Sequence, residues 1–411
     1  MKCSSAQVSD WIERFASFTD PNQLGFTRFS YTKEDIEARR FLIQEMKSLN
    51  LEVWMDHVGN IFGRRMGNGR KQKPIVVGSH LDTVQSGGKY DGISGVITGL
   101  EVVRVLNEHQ IQLDAPIEVI AYAEEEGGRF GSAFIGSKWL AGEIQRKDLE
   151  NYCDGEGNTI ASECLKLDVL NEEVKRCQRR EIDPQATFEL HIEQGPILES
   201  KGNILGVVDT ITGSSAYQVT MKGQANHAGT IPMDMRKDAF VAVSEISLAL
   251  NGLAKEQAIH TVGTIGFLEV KPNAYNIIPG HVEFSMDIRS LDQTCMEQVT
   301  IRMKEVIKRV AEDGGLEFTI RTKHNQPVVS LSEPLVSALS ASAEKRNYKH
   351  IVMGSGAGHD TLVMARMAPS AMVFVPSKAG RSHCPEEFTQ PEEIAKGSDL
   401  ILDAILQIQS Y

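Results

Sequence analysis

Five short stretches of the sequence carry residue types that bind divalent cations. The first is Gly78-Ser79-His80-Leu81-Asp82-Thr83-Val84. A neutral imidazole gives one ring nitrogen to a metal. A carboxylate two residues on is placed to hold the other ring N–H and fix the tautomer. His80 is therefore expected as a ligand and Asp82 as its orienting partner. The second stretch, Gly87-Gly88-Lys89-Tyr90-Asp91-Gly92, sets Asp91 among glycines, where the backbone can carry a carboxylate close to an ion. The third is Ala123-Glu124-Glu125-Glu126-Gly127. Three adjacent carboxylates repel and raise each other's pKa values, a conflict that a nearby cation resolves. The last two are His191-Ile192-Glu193-Gln194-Gly195 and Gly380-Arg381-Ser382-His383. Taken singly, a histidine can be a core residue and an acidic triplet a solvated loop. Cys384, beside His383, reads as a small neighbour of a ligand rather than as a thiol nucleophile.

The elements around these stretches strengthen the case. Residues 74–78 (PIVVG) and 116–123 (PIEVIAYA) are short continuous apolar runs, as expected of strands buried on both faces. Another strand is expected at 188–192, and short strands near 351–353 and 371–375. Helices are expected at 36–49 and 95–106, with a strand-turn-strand at 51–64. The ligand candidates thus sit at strand ends, where open α/β sheets gather their ligands. Imidazole and carboxylate donors without thiolate suit zinc, manganese, cobalt or nickel. Three histidines and two carboxylates suffice for two ions if one carboxylate bridges them.

Residues 142–184 read as peripheral helices. From about residue 212 the pattern changes: strand 217–221, helix 238–253, strands near 259–270 and 281–288, helix 294–313 and strand 316–321. That β-α-β-β-α-β order is the ferredoxin-like split arrangement. The expected fold is α/β: a discontinuous catalytic domain of residues 1–211 and 328–411, interrupted by a smaller α+β domain at 212–327.

Composition bounds the remaining classes. A chain of 411 residues exceeds the usual span of one core. Hydrophobic residues at 41% and charged residues at 24% are ordinary for a globular enzyme. A net charge of -12 argues against nucleic-acid binding, and the only basic patches are short ones such as Arg179-Arg180. No run is long and apolar enough for a signal peptide or a membrane span. Six scattered cysteines without a CxxC pair suggest a reducing, cytoplasmic setting.

The motifs HLDTV, YDG, EEEG, HIEQG and SHCPEE occur in that order, and the chain resembles the aminoacylase/carboxypeptidase-like two-metal hydrolases. EEGGRF, ELHIEQGPILE, NHAGTIPMDMRKDA, NIIPG, DIRS and SGAGHD make it more similar to the carbamoylase branch, which includes N-carbamoyl-L-amino acid hydrolases and allantoate amidohydrolases. The resemblance implies two divalent ions. His80 and His191 would hold one, Glu126 and His383 the other, and Asp91 would bridge them. It makes Glu125 the general base and the inserted domain a dimerisation domain. It also implies that His227 crosses to the partner's site, that Asn276 and Arg289 bind the substrate carboxylate, and that Gln194, Ser214 and His359 line the pocket. The implied substrate is a small N-carbamoyl amino acid. Allantoate is the alternative, although Ser214 stands where allantoate enzymes carry glutamine. An aminoacylase or dipeptidase would need no carbamoyl pocket, and a non-catalytic scaffold would have no use for Glu125 and five ligands.

Overall fold

A computed structural model describes residues 1–178 and 182–409, so Arg179 and Arg180 lie outside the described residues. The chain divides into two compact units. One comprises Met1–Asp209, Leu331–Met353 and Gly358–Tyr411, and the other Thr210–Ser330 with Gly354–Ala357. Residues 354–357 thus pack with the second unit, whereas the sequence assigned them to the first.

The first unit is built on four parallel strands in the order Ser370–Val375, Ala186–Ile192, Ile75–His80 and Ile117–Tyr122. Every residue of these strands is buried, including the polar Glu118, Thr187 and Glu189, as expected of strands covered on both faces. Antiparallel strands Ile61–Arg65 and Glu52–Met55 continue the sheet at one side. Helix Ile93–Glu108 is apolar almost all round and packs on the central strands. Helix Lys33–Ser48 begins at Thr32, whose side chain accepts from the Asp35 amide. Residues 142–178 hold only short helical turns and a two-residue strand at Lys175–Arg176, less regular than the expected helices.

The second unit is a four-stranded antiparallel core with two helices. Strands Gly213–Lys222, His281–Ser290 and Glu317–Gln326 run ten residues each. The expected strand at 259–270 is two pieces, Thr261–Thr264 and Leu268–Lys271, both paired to His281–Ser290. Burial alternates strictly along Gly213–Lys222 and His281–Ser290. Tyr217, Val219, Met221, Phe284, Met286 and Ile288 face helices Ala239–Lys255 and Gln293–Gly314, which supply Ile246, Leu250, Met303 and Ile307. The opposite face is polar and carries Ser214, Gln218, Asp287 and Arg289. A two-residue ladder, Asn226–His227 with Ile277–Ile278, was not foreseen from the sequence. Among the described residues no helix is long and apolar enough to cross a membrane.

Candidate metal centre

The carboxyl ends of the four parallel strands converge. His80 ends its strand, the Glu124–Glu126 triplet follows Tyr122, and His191 lies one residue before the end of its strand. His383 sits on the loop after Val375. Asp91 is the centre of the cluster. Its Oδ1 lies 3.0 Å from His191 Nε2 and 3.5 Å from His80 Nε2, and its Oδ2 lies 3.3 Å from His383 Nε2. His383 Nε2 is also 3.5 Å from Glu126 Oε1, and Glu125 Oε2 is 3.7 Å from His80 Nε2. Two sets of three donors therefore share one carboxylate: His80, Asp91 and His191, and Asp91, Glu126 and His383.

The backbone sets the tautomers. His80 Nδ1 donates to the carbonyl of Asp82 at 2.9 Å, and His191 Nδ1 to that of Ile192 at 2.9 Å. Each Nε2 then presents its lone pair to the cluster. This corrects the part expected of Asp82. Its carboxylate stays 3.9 Å from His80 Nδ1 and instead accepts the amides of Glu125 and Glu126, each at 3.1 Å. Asp82 thus ties its own loop to the acidic triplet, with Oδ1 and Oδ2 taken up by the two amides. Asp82→Ala should reduce activity about 10–100-fold, the usual cost of losing such outer support. Steady-state kinetics with metal analysis checks this, and unchanged kcat with full metal content would refute it.

Positive φ angles occur at Glu124, Gln194 and His383, on three of the loops that build the cluster. Non-glycine residues held there are uncommon and tend to occur at functional sites. Gly92, at φ 66°, admits the His80 ring, since a Cβ there would stand 2.4 Å from it.

Electrostatics match a cation site. Burial alone would raise Asp91, but His191, His383 and His80 hold it well below the usual carboxylate range. Burial, with Asp91 next, pushes Glu126 up to about 7. Burial pushes Glu125 well above its ordinary value against the pull of His80. A hydrogen bond to Asp91 lifts His383 to about 9. Glu126 Oε1 is buried without a hydrogen-bond partner. An acceptor so placed, among Nε2 lone pairs and carboxylates, fits a divalent cation.

Of the other expected residues, Gln194 and His359 are in the same unit. Gln194 Nε2 donates to Asp91 Oδ2 at 2.7 Å, and the His359 ring centroid lies 4.4 Å from that of His191. Ser214, His227, Asn276 and Arg289 belong to the second unit and form two groups. Ser214 pairs with Arg289 at one end of the long strands, and Lys222 pairs with His281 at the other. His227 and Asn276 lie beyond that second end, where the Ala228 amide donates to the Asn276 carbonyl at 3.0 Å. The eight-residue offset between the ends is roughly 26 Å.

Three residues escaped the sequence reading. Buried Glu189 accepts from Ser79 Oγ at 2.8 Å and from the amide and hydroxyl of Thr361. Glu387 and Ser382 join the Asp91 and His383 loops. Only the placement of Glu189 in ELHIEQG and of Ser382 and Glu387 in SHCPEE hinted at them.

Residues 76–407 match the peptidase family M20/M25/M40. The N-carbamoyl-L-amino-acid amidohydrolase of Paenarthrobacter aurescens is 38% identical over 401 residues, covering 98% of this chain and 97% of its own. The allantoate amidohydrolase of Escherichia coli strain K12 is 35% identical over 390 residues, covering 94% and 93%. A solved amidase of the hydantoinase/carbamoylase family from Burkholderia multivorans superposes with a TM-score of 0.92 at 35% identity, covering 99% of this chain and 98% of that one.

Proposed function

Because the chain belongs to the peptidase family M20/M25/M40 and is a metal-dependent hydrolase of C–N bonds, we propose that it cleaves the ureido group of a small N-carbamoyl amino acid. Water adds to the carbamoyl carbon, the bond to the terminal nitrogen breaks, and ammonia leaves. The remaining carbamate loses carbon dioxide to give the amino acid.

The observation that carries this reading is the pair of donor sets sharing Asp91, with Glu125 beside them. In it, His80, His191 and Asp91 would hold one divalent ion, and Glu126, His383 and Asp91 a second. Zinc, manganese, cobalt or nickel would be accepted by these donors. Such ions supply Lewis acidity and make water a ready nucleophile near neutral pH. Glu125 takes the proton of the attacking water and delivers it to the leaving nitrogen. Gln194, Ser214 and His359 shape the pocket.

The second unit serves as the dimerisation domain in this reading. Its helix Ala239–Lys255 exposes Phe240, Val241 and Leu248. Two groups of its residues are assigned to the substrate, one at each end of the long strands. Arg289 and Asn276 of one subunit lie too far apart to grip one small carboxylate. In this reading Arg289 serves its own subunit's site, while His227 and Asn276 serve the partner's. There His227 donates to the carbonyl oxygen as negative charge develops on it, and the Arg289 guanidinium binds the carboxylate in a bidentate manner.

Allantoate is the second reading, favoured by the likeness to the Escherichia coli allantoate amidohydrolase. A panel of ammonia-release assays separates the two: several N-carbamoyl-L-amino acids, N-carbamoyl-β-alanine, allantoate and ureidoglycolate, each with zinc, manganese, cobalt and nickel. An N-carbamoyl-L-amino acid is expected to lead in kcat/KM by about tenfold or more. Preference for allantoate would establish the second reading. Turnover of dipeptides alone would overturn both.

A further inference from the structure

Glu387 lies outside the two donor sets, yet it ties the loop of their shared carboxylate to the loop of His383, alongside Gln194, whose Nε2 meets Asp91 Oδ2 at 2.7 Å and His383 Nε2 at 3.1 Å. Glu387 is almost fully buried. Its Oε1 accepts the amides of Tyr90 at 3.0 Å and Asp91 at 3.1 Å. Its Oε2 accepts from Ser382 Oγ at 2.9 Å, and that hydroxyl is also 3.1 Å from Asp91 Oδ2. The hydroxyl has one proton, so it serves one carboxylate at a time. The approach is permitted by Gly88, where a Cβ would come within 2.1 Å of Glu387 Oε1. Glu387 thus fixes two consecutive amides of the Asp91 loop and, through Ser382, the residue before His383. The segments it joins are 296 residues apart in the chain. His80 and His191 are supported differently. Those two are held by the carbonyls of Asp82 and Ile192, and their strands are tied by Glu189 through Ser79.

We propose that Glu387 is a positioning residue for one half of the centre: it sets the register between Asp91 and His383, so that its loss weakens the Asp91–Glu126–His383 site and spares the His80–Asp91–His191 site. Asp91 remains in reach of His80 and His191 without Glu387, because its Oδ1 faces them from a loop that Gly92 also shapes. Among the described residues the His383 ring is met by Asp91, Glu126 and Gln194 from other loops, while Glu387 with Ser382 fixes the loop of His383 itself to that of Asp91. The proposal rests on the two-ion reading above.

The test is a titration of metal-depleted enzyme with cobalt(II), following the visible absorption of the bound ion and, by mass spectrometry, the metal content at fixed free cobalt. Wild type is expected to take two equivalents. Glu387→Ala is expected to take the first equivalent with unchanged affinity and the second about 10–100-fold more weakly. Glu387→Gln should restore most of the second equivalent. Its carbonyl can still accept the two amides, and its Nε2 can donate to Ser382 Oγ, freeing the hydroxyl proton for Asp91. Ser382→Ala removes only the link to the His383 loop and should weaken the second equivalent alone, which keeps the idea testable if Glu387→Ala does not fold. Two equivalents bound by Glu387→Ala or Ser382→Ala as tightly as by wild type would overturn the proposal, as would equal weakening of both equivalents. A wild type that takes only one equivalent would instead overturn the two-ion reading.

Discussion

Glu125→Gln is expected to keep its full metal content while kcat falls by about 10²–10⁴-fold, the range set by loss of a positioned general base. The substitution keeps shape and removes the only chemistry required of the side chain, since an amide cannot take a proton from water. Metal content should hold because Glu125 is outside the two donor sets that share Asp91. The loop should hold as well, because it is fixed by its own backbone: the Glu125 and Glu126 amides donate to Asp82. Metal analysis and steady-state kinetics on the same preparation check the expectation. Loss of metal with a retained residual rate would move the base elsewhere.

Mixing two inactive proteins should restore activity. If His227 completes the partner's site, a hybrid of His227→Ala and Glu125→Gln subunits has one intact centre: the Glu125 of the first chain with the His227 of the second. Random exchange makes half of the dimers hybrid, each with one good site of two. Recovery should then approach about a quarter of wild-type activity in a symmetric dimer. The geometry of the second unit sharpens the experiment. His227 lies beyond the strand end opposite to Arg289, and if Arg289 serves the site of its own Glu125, Arg289→Ala mixed with Glu125→Gln should recover nothing. His227→Ala mixed with Asn276→Ala should also stay silent, because both residues leave together for the partner. Recovery in either control, or none in the first mixture despite confirmed exchange, would sink the shared-site arrangement.

The centre was legible in the sequence to the extent that its residues sit on strands with an unambiguous pattern. Ile75–His80 and Ile117–Tyr122 are buried on both faces, so apolar continuity marked them and their ends marked His80 and the acidic triplet. Asp91 stood out through its glycines. Glu189 and Glu387 did not, because a single carboxylate in a strand or loop acquires its part only from distant partners such as Thr361 and Asp91. Asp82 was given the wrong partner for a related reason: spacing along the chain fixes proximity to His80 but not the direction of the side chain. The Asn226–His227 ladder is two residues long and carries no periodicity to read. Residues 354–357 comprise the last two residues of strand His350–Ser355 and the two that follow, and only packing assigns them to the second unit.

The order of strands in the first sheet has a consequence for how the protein is made. Strand Ala186–Ile192 pairs on one side with Ile75–His80 and on the other with Ser370–Val375. During synthesis its second edge stays open while roughly 180 further residues are added, about 9–36 s at typical elongation rates of 5–20 residues per second. An apolar open edge is a template for pairing with other chains. The intervening residues include the whole second unit, with its own core, which can fold while the first waits. The ribosome-bound chain therefore passes through a long interval with one finished domain and one half-built sheet. That interval is when a nascent-chain chaperone has the most to protect, and His383 joins Asp91 and Glu126 only after it closes.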